Sequence, residues 1–119
     1  MDNELTAKAL SKNANVDAKK WNKMPTEKEV QKTIESFEKN GIKVFLVENR
    51  EEALEKLKEL IPSNASVMNG SSTTLHEIGF VDYLKSKEHK WKNMHELVFG
   101  EPERQKQTEL RRQALLSDY

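Results

Sequence analysis

The chain has 119 residues, of which 35% are hydrophobic and 34% are charged, and its mean hydropathy is −0.86. A formal net charge of zero argues against a globally basic nucleic-acid-binding protein, and the lack of cysteine excludes disulfides, thiol catalysis and cysteine-ligated metals. No apolar stretch approaches the ~20 residues of a membrane span, and the first residues do not resemble a secretory signal, so we expect a cytoplasmic protein of one small domain.

The first part of the chain is predicted to be a polar arm, residues 1–24, followed by a domain that covers residues 25–119. A helical arm and a disordered leader both fit the scattered apolar positions of the arm. The domain opens with a capping box, in which the side chains of Thr26 and Glu29 bond each other's backbone N–H. This signal predicts a helix that begins at Thr26 and ends at Gly41, a residue that readily adopts the left-handed conformation of a helix stop.

Two later segments are predicted to be strands of a parallel sheet. Residues 42–47 form a nearly continuous run of branched and aromatic residues, which is typical of a buried strand. A helix opened by Asn49 and Glu52 follows, and residues 66–68 are the second strand. The alternation of helices and strands predicts an α/β fold, with a partial parallel sheet flanked by helices.

Less regular structure is predicted beyond the second strand. Residues 80–84 form a short helix or turn, residues 85–101 form a polar excursion, and a final helix begins at Pro102. Because a two-stranded parallel sheet is marginal on its own, we expect the chain to be part of a larger α/β domain, or a second copy or partner chain to complete the sheet. The excursion is anchored by Trp91, Met94, Leu97, Val98 and Phe99.

The segment 69–74 carries the most chemistry, because four hydroxyl residues stand between a predicted strand and the first turn of a helix. Free backbone N–H groups and the positive end of the helix dipole favour a small anion there, either a phosphate or a carboxylate. The alternative is that Ser71 or Ser72 only caps the helix and the other hydroxyls are solvated. The predicted ligand-binding residues are Asn69, Gly70, Ser71, Ser72, Thr73 and Thr74.

A candidate catalytic group follows this loop. Glu77 could act as a general base, or it could be an acidic residue favoured by the helix dipole. No metal site is predicted, because His76, His89 and His95 lack metal-ligand spacing, and the sequence identifies no cofactor.

Two basic segments have a functional and a structural interpretation. The lysines around Trp91 could accompany stacking on nucleic acid, but we expect them to be solvated and the indole to lie in the core. Nucleic acid is therefore not an expected partner. Arg111 and Arg112 could face a phosphate or a partner. The alternative, which we expect, is that they are exposed charges on the surface of the helix.

The predicted segments resemble the lactate-utilisation (LUD) domain family over about residues 26–119. The order is that of the family: helix, strand, a helix opened by Asn-x-x-Glu, strand, and a glycine- and hydroxyl-rich loop that leads into a helix. The resemblance rests on residues 42–47, 49–53, 60–62, 70–79 and 109–119.

This resemblance implies a Rossmann-like sheet of the kind found in sugar-phosphate isomerases and coenzyme A transferases. It also implies a role in lactate or organic-acid utilisation, which some relatives perform beside iron–sulfur proteins, while many others have no assigned activity. The family's later region has no counterpart here, so we expect a C-terminally truncated domain. The alternatives are an enzyme with a phosphate or coenzyme A ligand and a non-catalytic assembly module, and whether the protein is an enzyme stays open.

Overall fold

The computed structural model describes residues 17–119, so the predicted polar arm lies largely outside the described residues. The chain divides into two compact units, Met1–Val47 and Glu48–Tyr119. In the first unit, the described helices are α1 (Ala18–Trp21) and α2 (Glu27–Lys39). No helix within residues 17–119 has the length and apolar character that a membrane-spanning segment needs.

The second unit combines helices with a small parallel sheet, which confirms the predicted mixed α/β class. Its two strands pair directly with each other, with Ser66 opposite Lys92. In chain order its elements are α3 (Arg50–Leu60), β1 (Ser66–Val67), α4 (Thr73–Glu77), α5 (Phe80–Ser86), β2 (Lys92–Asn93), α6 (Met94–Gly100) and α7 (Arg104–Ala114).

Helix α2 begins at the predicted capping box. The Glu29 N–H donates to Thr26 Oγ1 at 3.3 Å, and the Thr26 N–H donates to Glu29 Oε2 at 2.7 Å. The bonds from the Thr26 backbone and hydroxyl hold the pKa of the Glu29 carboxyl below its usual value. Gly41 has a φ of +74°, so the predicted left-handed stop is also confirmed.

Helix α3 is fixed by the same kind of local signal. The Glu52 N–H donates to Asn49 Oδ1 at 2.9 Å, and Glu52 Oε2 in turn accepts from the Glu48 N–H at 3.0 Å. The helix ends at Leu60, and the chain then turns through Asn64, whose φ is +68°. Asparagine tolerates this left-handed conformation better than most residues.

The predicted strand at residues 42–47 is wrong. The structure assigns no regular element to this run, and the side chains of Ile42 and Leu46 are 49% and 69% exposed. The strand that pairs with β1 is β2, which lies in the segment predicted to be a polar excursion. A run of branched residues favours extended backbone, but a strand also needs a neighbour that offers its hydrogen-bonding groups.

Both edges of β1 are already occupied. On one edge, the Lys92 N–H donates to the Ala65 carbonyl at 2.9 Å. On the other, the Tyr119 N–H donates to the Ser66 carbonyl at 3.1 Å, and the Met68 N–H donates to the Tyr119 carbonyl at 2.9 Å. This is the bonding pattern of parallel strands, so Tyr119 continues the sheet beyond β1.

Side chains along β1 alternate between two apolar clusters. Ala65 and Val67 belong to one cluster and Met68 packs against the other, as expected when successive side chains of a strand point to opposite faces. The buried residues of the first cluster, which also receives side chains from α3, are Ile61, Ala65, Val67, Phe80, Leu84 and Trp91. The buried residues of the second cluster are Met94, Val98 and Ala114.

The predicted polar excursion, residues 85–101, is more regular than expected. It contains β2 and all of α6, and α6 is capped by the Asn93 side chain, which accepts from the Glu96 N–H at 3.1 Å. The same Asn-x-x-Glu signal opens α3. Here it lies in a lysine-rich segment, whose composition favours a polar loop over a helix. Of the predicted anchors, Trp91, Met94 and Val98 are buried, whereas Leu97 and Phe99 are exposed.

A polar clamp holds the end of the chain against β1. Asp118 Oδ2 accepts from the Ser66 backbone N–H and from the Ser66 hydroxyl, both at 2.8 Å, and the Asp118 N–H donates to Ser66 Oγ at 3.0 Å. The backbone bond first, and the hydroxyl second, lower the pKa of the Asp118 carboxyl. The bonds therefore stabilise the fold above the pKa of the unfolded chain, and this stabilisation is lost as the pH falls through the lower folded-state pKa.

We expect Asp118→Asn to lower the melting temperature at pH 7, because the amide cannot accept these bonds as strongly as a carboxylate. The difference from wild type should shrink once the pH falls below about 4, the usual range for aspartate. Thermal melts between pH 7 and pH 2.5 check this. Asp82→Asn is the control, since the exposed Asp82 side chain lies in the first turn of α5 but makes no hydrogen bond within residues 17–119, and its effect should be much smaller. A pH-independent difference for Asp118→Asn would contradict the prediction.

Candidate functional site

The predicted anion-binding segment lies directly beyond the carboxyl end of β1. Asn69 is buried, and its side-chain amide donates to the Gly70 carbonyl at 3.3 Å, which ties down the start of the loop. Helix α4 then begins at Thr73. Ligands of open α/β sheets bind outside the carboxyl ends of the strands, so the loop occupies the expected position for a site.

One hydroxyl of the segment is already used as a helix cap. Ser72 Oγ accepts from the Leu75 N–H at 3.2 Å, and the Ser72 N–H donates to the Gly70 carbonyl at 3.1 Å. Part of the alternative interpretation is therefore correct, because Ser72 has a structural task in holding the first turn of α4. Removing its hydroxyl would affect the helix whether or not a ligand binds.

Three backbone donors in the hydroxyl-rich part of the segment, residues 71–74, have no acceptor among the described residues. They are the N–H groups of Ser71, Thr73 and Thr74, and the hydroxyls of the same three residues also make no hydrogen bond there. Ser71 and Thr74 are exposed and Thr73 is half-buried. These groups together offer up to six donors to a phosphate or carboxylate at the start of α4.

Gly70 leaves open space at the start of the loop. Its φ is not in the left-handed region, so the backbone there does not require glycine. A Cβ at this position would meet no atom within 4 Å. A larger side chain at position 70 therefore fits the fold and would fill the space in front of the loop.

Glu77 does not lie at the start of α4. It is the last residue of this five-residue helix, it is exposed, and it has no hydrogen-bond or ion-pair partner within residues 17–119. The helix-dipole interpretation does not fit this position, because the dipole favours carboxylates at the opposite end. His76 is exposed beside it.

His89 and His95 contact aromatic side chains. His89 Nε2 lies 2.7 Å from the Leu84 carbonyl, and His89 Nδ1 accepts from the Trp91 N–H at 3.1 Å, so the ring carries its proton on Nε2. The imidazole also stacks on the Trp91 indole with ring centroids 5.0 Å apart. His95 contacts the Phe99 ring. Among the residues that the structure describes, no three acidic or histidine side chains are grouped to hold a metal ion.

Trp91 lies in the core, as the sequence predicted. Its side chain is 9% exposed, and its indole N–H donates to the Ile61 carbonyl at 3.2 Å. The surrounding lysines, at positions 85, 87, 90 and 92, are exposed. The indole therefore cannot stack on a nucleic-acid base without leaving the first apolar cluster.

Another cationic side chain is engaged on α3. Lys58 Nζ lies 2.6 Å from Glu55 Oε1 and 4.4 Å from the centre of the Tyr83 ring. The hydrogen bond to Glu55 raises the pKa of the Lys58 ammonium, and the ring adds a cation–π contact. Lys58 therefore fastens α3 to α5 and is not a candidate ligand group.

The two arginines near the end of α7 are less restrained. The Arg111 guanidinium stands 5.2 Å from the centre of the Phe99 ring, and Arg112 Nη1 lies 3.7 Å from Glu109 Oε2. Both arginines line a cavity beside Met68. The sequence showed the arginines but not the cavity, because Met68 and α7 are more than 35 residues apart along the chain.

Comparison with known proteins gives a family and no closer relative. Residues 30–119 match the model of a family described as the LUD domain. This range includes the segment 69–74, both strands and α7. No curated protein and no solved structure matches the chain.

Proposed function

Because the match over residues 30–119 shows that the chain belongs to the LUD domain family, we propose that the protein takes part in the utilisation of lactate or a related organic acid. Family membership is the observation that carries this proposal. We further propose that the segment 69–74 binds the anionic group of the ligand. Lactate offers a carboxylate, and a carboxylate accepts hydrogen bonds from N–H and hydroxyl donors of the kind that this segment carries.

The geometry of the segment supports this proposal in two ways. The N–H groups of Ser71, Thr73 and Thr74 have no acceptor within the described part of the chain, and they are located where the backbone leaves β1. The space beside Gly70 is open, so a ligand can approach the backbone without a side chain in between.

A ligand titration tests the proposal. We expect L-lactate and inorganic phosphate to raise the melting temperature of the protein, because a ligand that binds only the folded state stabilises it. At a ligand concentration ten times the Kd the gain is about 1.4 kcal/mol. Sodium chloride at matched ionic strength controls for general salt effects.

Two variants direct this test to the segment 69–74. Gly70→Val should keep the fold and abolish the ligand-induced stabilisation, and Ser71→Ala should weaken it several-fold. Ser72→Ala is the matched control: loss of the cap should cost about 1 kcal/mol in the absence of ligand. Its ligand response should nevertheless persist.

The alternatives give different results in the same experiment. Stabilisation by coenzyme A without any effect of lactate would favour an enzyme with a phosphorylated or coenzyme A ligand. No response to any ligand, together with a melting temperature that depends on protein concentration, would favour an assembly module that associates through the exposed run 42–47. An equal response in wild type and Gly70→Val would place the ligand elsewhere and refute the segment as the site.

A further inference from the structure

A cavity lies on the face of β1 that carries Met68. The last turns of α7 and the end of β1 line an open cavity of about 340 Å³. This is within the range of roughly 300–1,000 Å³ that is typical of small-molecule pockets. Its lining residues are Met68, Thr108, Arg111, Arg112, Ala114 and Leu115.

The cavity combines an apolar floor with two positive charges. Met68 and Ala114 belong to the second apolar cluster, and Leu115 adds an exposed aliphatic side chain. Arg111 and Arg112 supply the charge, and none of the six lining residues carries a carboxylate. A ligand that satisfies both parts must carry an anionic head and an apolar chain.

The two guanidinium groups are available to such a ligand. The contact with the Phe99 ring holds Arg111 in place without using its N–H groups. The only ion pair of Arg112 within residues 17–119 is the 3.7 Å contact with Glu109, and both side chains are largely exposed there. An exposed pair of this length contributes little, so a carboxylate ligand can displace it. Arginine also presents a planar pair of donors that matches a carboxylate.

We propose that this cavity binds an organic carboxylate with an aliphatic chain, held at its head by Arg111 and Arg112 and along its chain by Met68 and Leu115. Free phosphate fits less well, because it would leave the apolar floor in contact with water. The site is separate from the segment 69–74, so it does not depend on the function proposed above.

The test compares three small molecules on the full-length protein by isothermal calorimetry and by NMR shifts of the Met68 methyl. Hexanoate should bind about tenfold more tightly than acetate, which corresponds to burial of about two methylene groups. Hexan-1-ol should bind more weakly than hexanoate, because it lacks the charge. Equal binding of hexanoate and acetate, or of hexanoate and hexanol, would overturn the proposal.

Matched variants locate the site. Arg111→Gln and Arg112→Gln should each weaken hexanoate binding about tenfold, and Leu115→Ser should weaken hexanoate but not acetate. All three side chains are exposed, so the fold is not at risk. Arg104→Gln, in the first turn of the same helix, is the charge-matched control and should bind as wild type. A loss in Arg104→Gln as large as in Arg111→Gln would refute the site.

Discussion

Replacement of Trp91 by alanine is expected to cost about 3–5 kcal/mol of unfolding free energy, which is a large fraction of the 5–15 kcal/mol that stabilises a typical domain. The indole joins several elements at once. It contacts the rings of Phe80, Tyr83 and His89, and its N–H group bonds the Ile61 carbonyl beyond the end of α3. Truncation would leave a large cavity and an unpaired carbonyl in the first apolar cluster.

Urea unfolding followed by circular dichroism measures this loss. Trp91→Phe keeps a ring in the cluster but removes the bond to Ile61, so its cost should be smaller, about 1–3 kcal/mol. Trp21→Phe is the control, because the Trp21 side chain is 68% exposed and should contribute almost nothing. A midpoint for Trp91→Ala within error of wild type would show that the aromatic cluster does not hold the unit together.

The sequence predicted the helices that depend on local signals. Thr26 with Glu29, and Asn49 with Glu52, are side chains that satisfy the orphan N–H groups of a helix start within three residues. Such contacts form without reference to the rest of the fold, so they can be read from a short window. The same logic explains why the Gly41 stop is correct.

The sheet could not be predicted in the same way, because strand pairing is non-local. Residues 42–47 have the composition of a buried strand, yet the partner of β1 is the polar pair Lys92–Asn93, which follows several lysines in the sequence. The segment that pairs with β1 is determined by the path of the chain after α5. This path depends on tertiary contacts and cannot be predicted from local composition. The bond of Tyr119 to the other edge of β1 spans more than 50 residues.

The candidate site was predictable to an intermediate degree. The position of the segment 69–74 between a strand and a helix followed from local patterns, and so did a serine cap. Which serine caps the helix depends on the backbone geometry, which selects Ser72 and leaves Ser71 without a hydrogen bond inside the described residues. The arginine-lined cavity depends on tertiary contact between β1 and α7 and therefore has no signal in the sequence.

Met94→Ala is expected to destabilise the opposite face of the sheet by about 2–5 kcal/mol. Met94 is 2% exposed and packs with Val98 and Ala114, so it fixes α7 on α6. Among residues 17–119 the second cluster has three buried residues, and β1 is its link to the first cluster. We therefore expect Met94→Ala to promote local unfolding of this face only. Helices α6 and α7 should unfold, and the hydrogen bonds of Tyr119 to β1 should be lost.

Hydrogen exchange of backbone amides distinguishes local from global unfolding. In Met94→Ala the amides of α7 should lose protection, while those of α3 should exchange as in wild type. Leu97→Ala, in the same helix but 40% exposed, is the matched control and should change little. An equal loss of protection in α3 and α7 would contradict the local interpretation and show that the two faces unfold together.

Local unfolding of this face should also change ligand binding. Ala114 belongs to the second cluster and lines the cavity beside Arg111 and Arg112, so Met94→Ala should weaken hexanoate binding. The response of the segment 69–74 to phosphate should persist in the same variant.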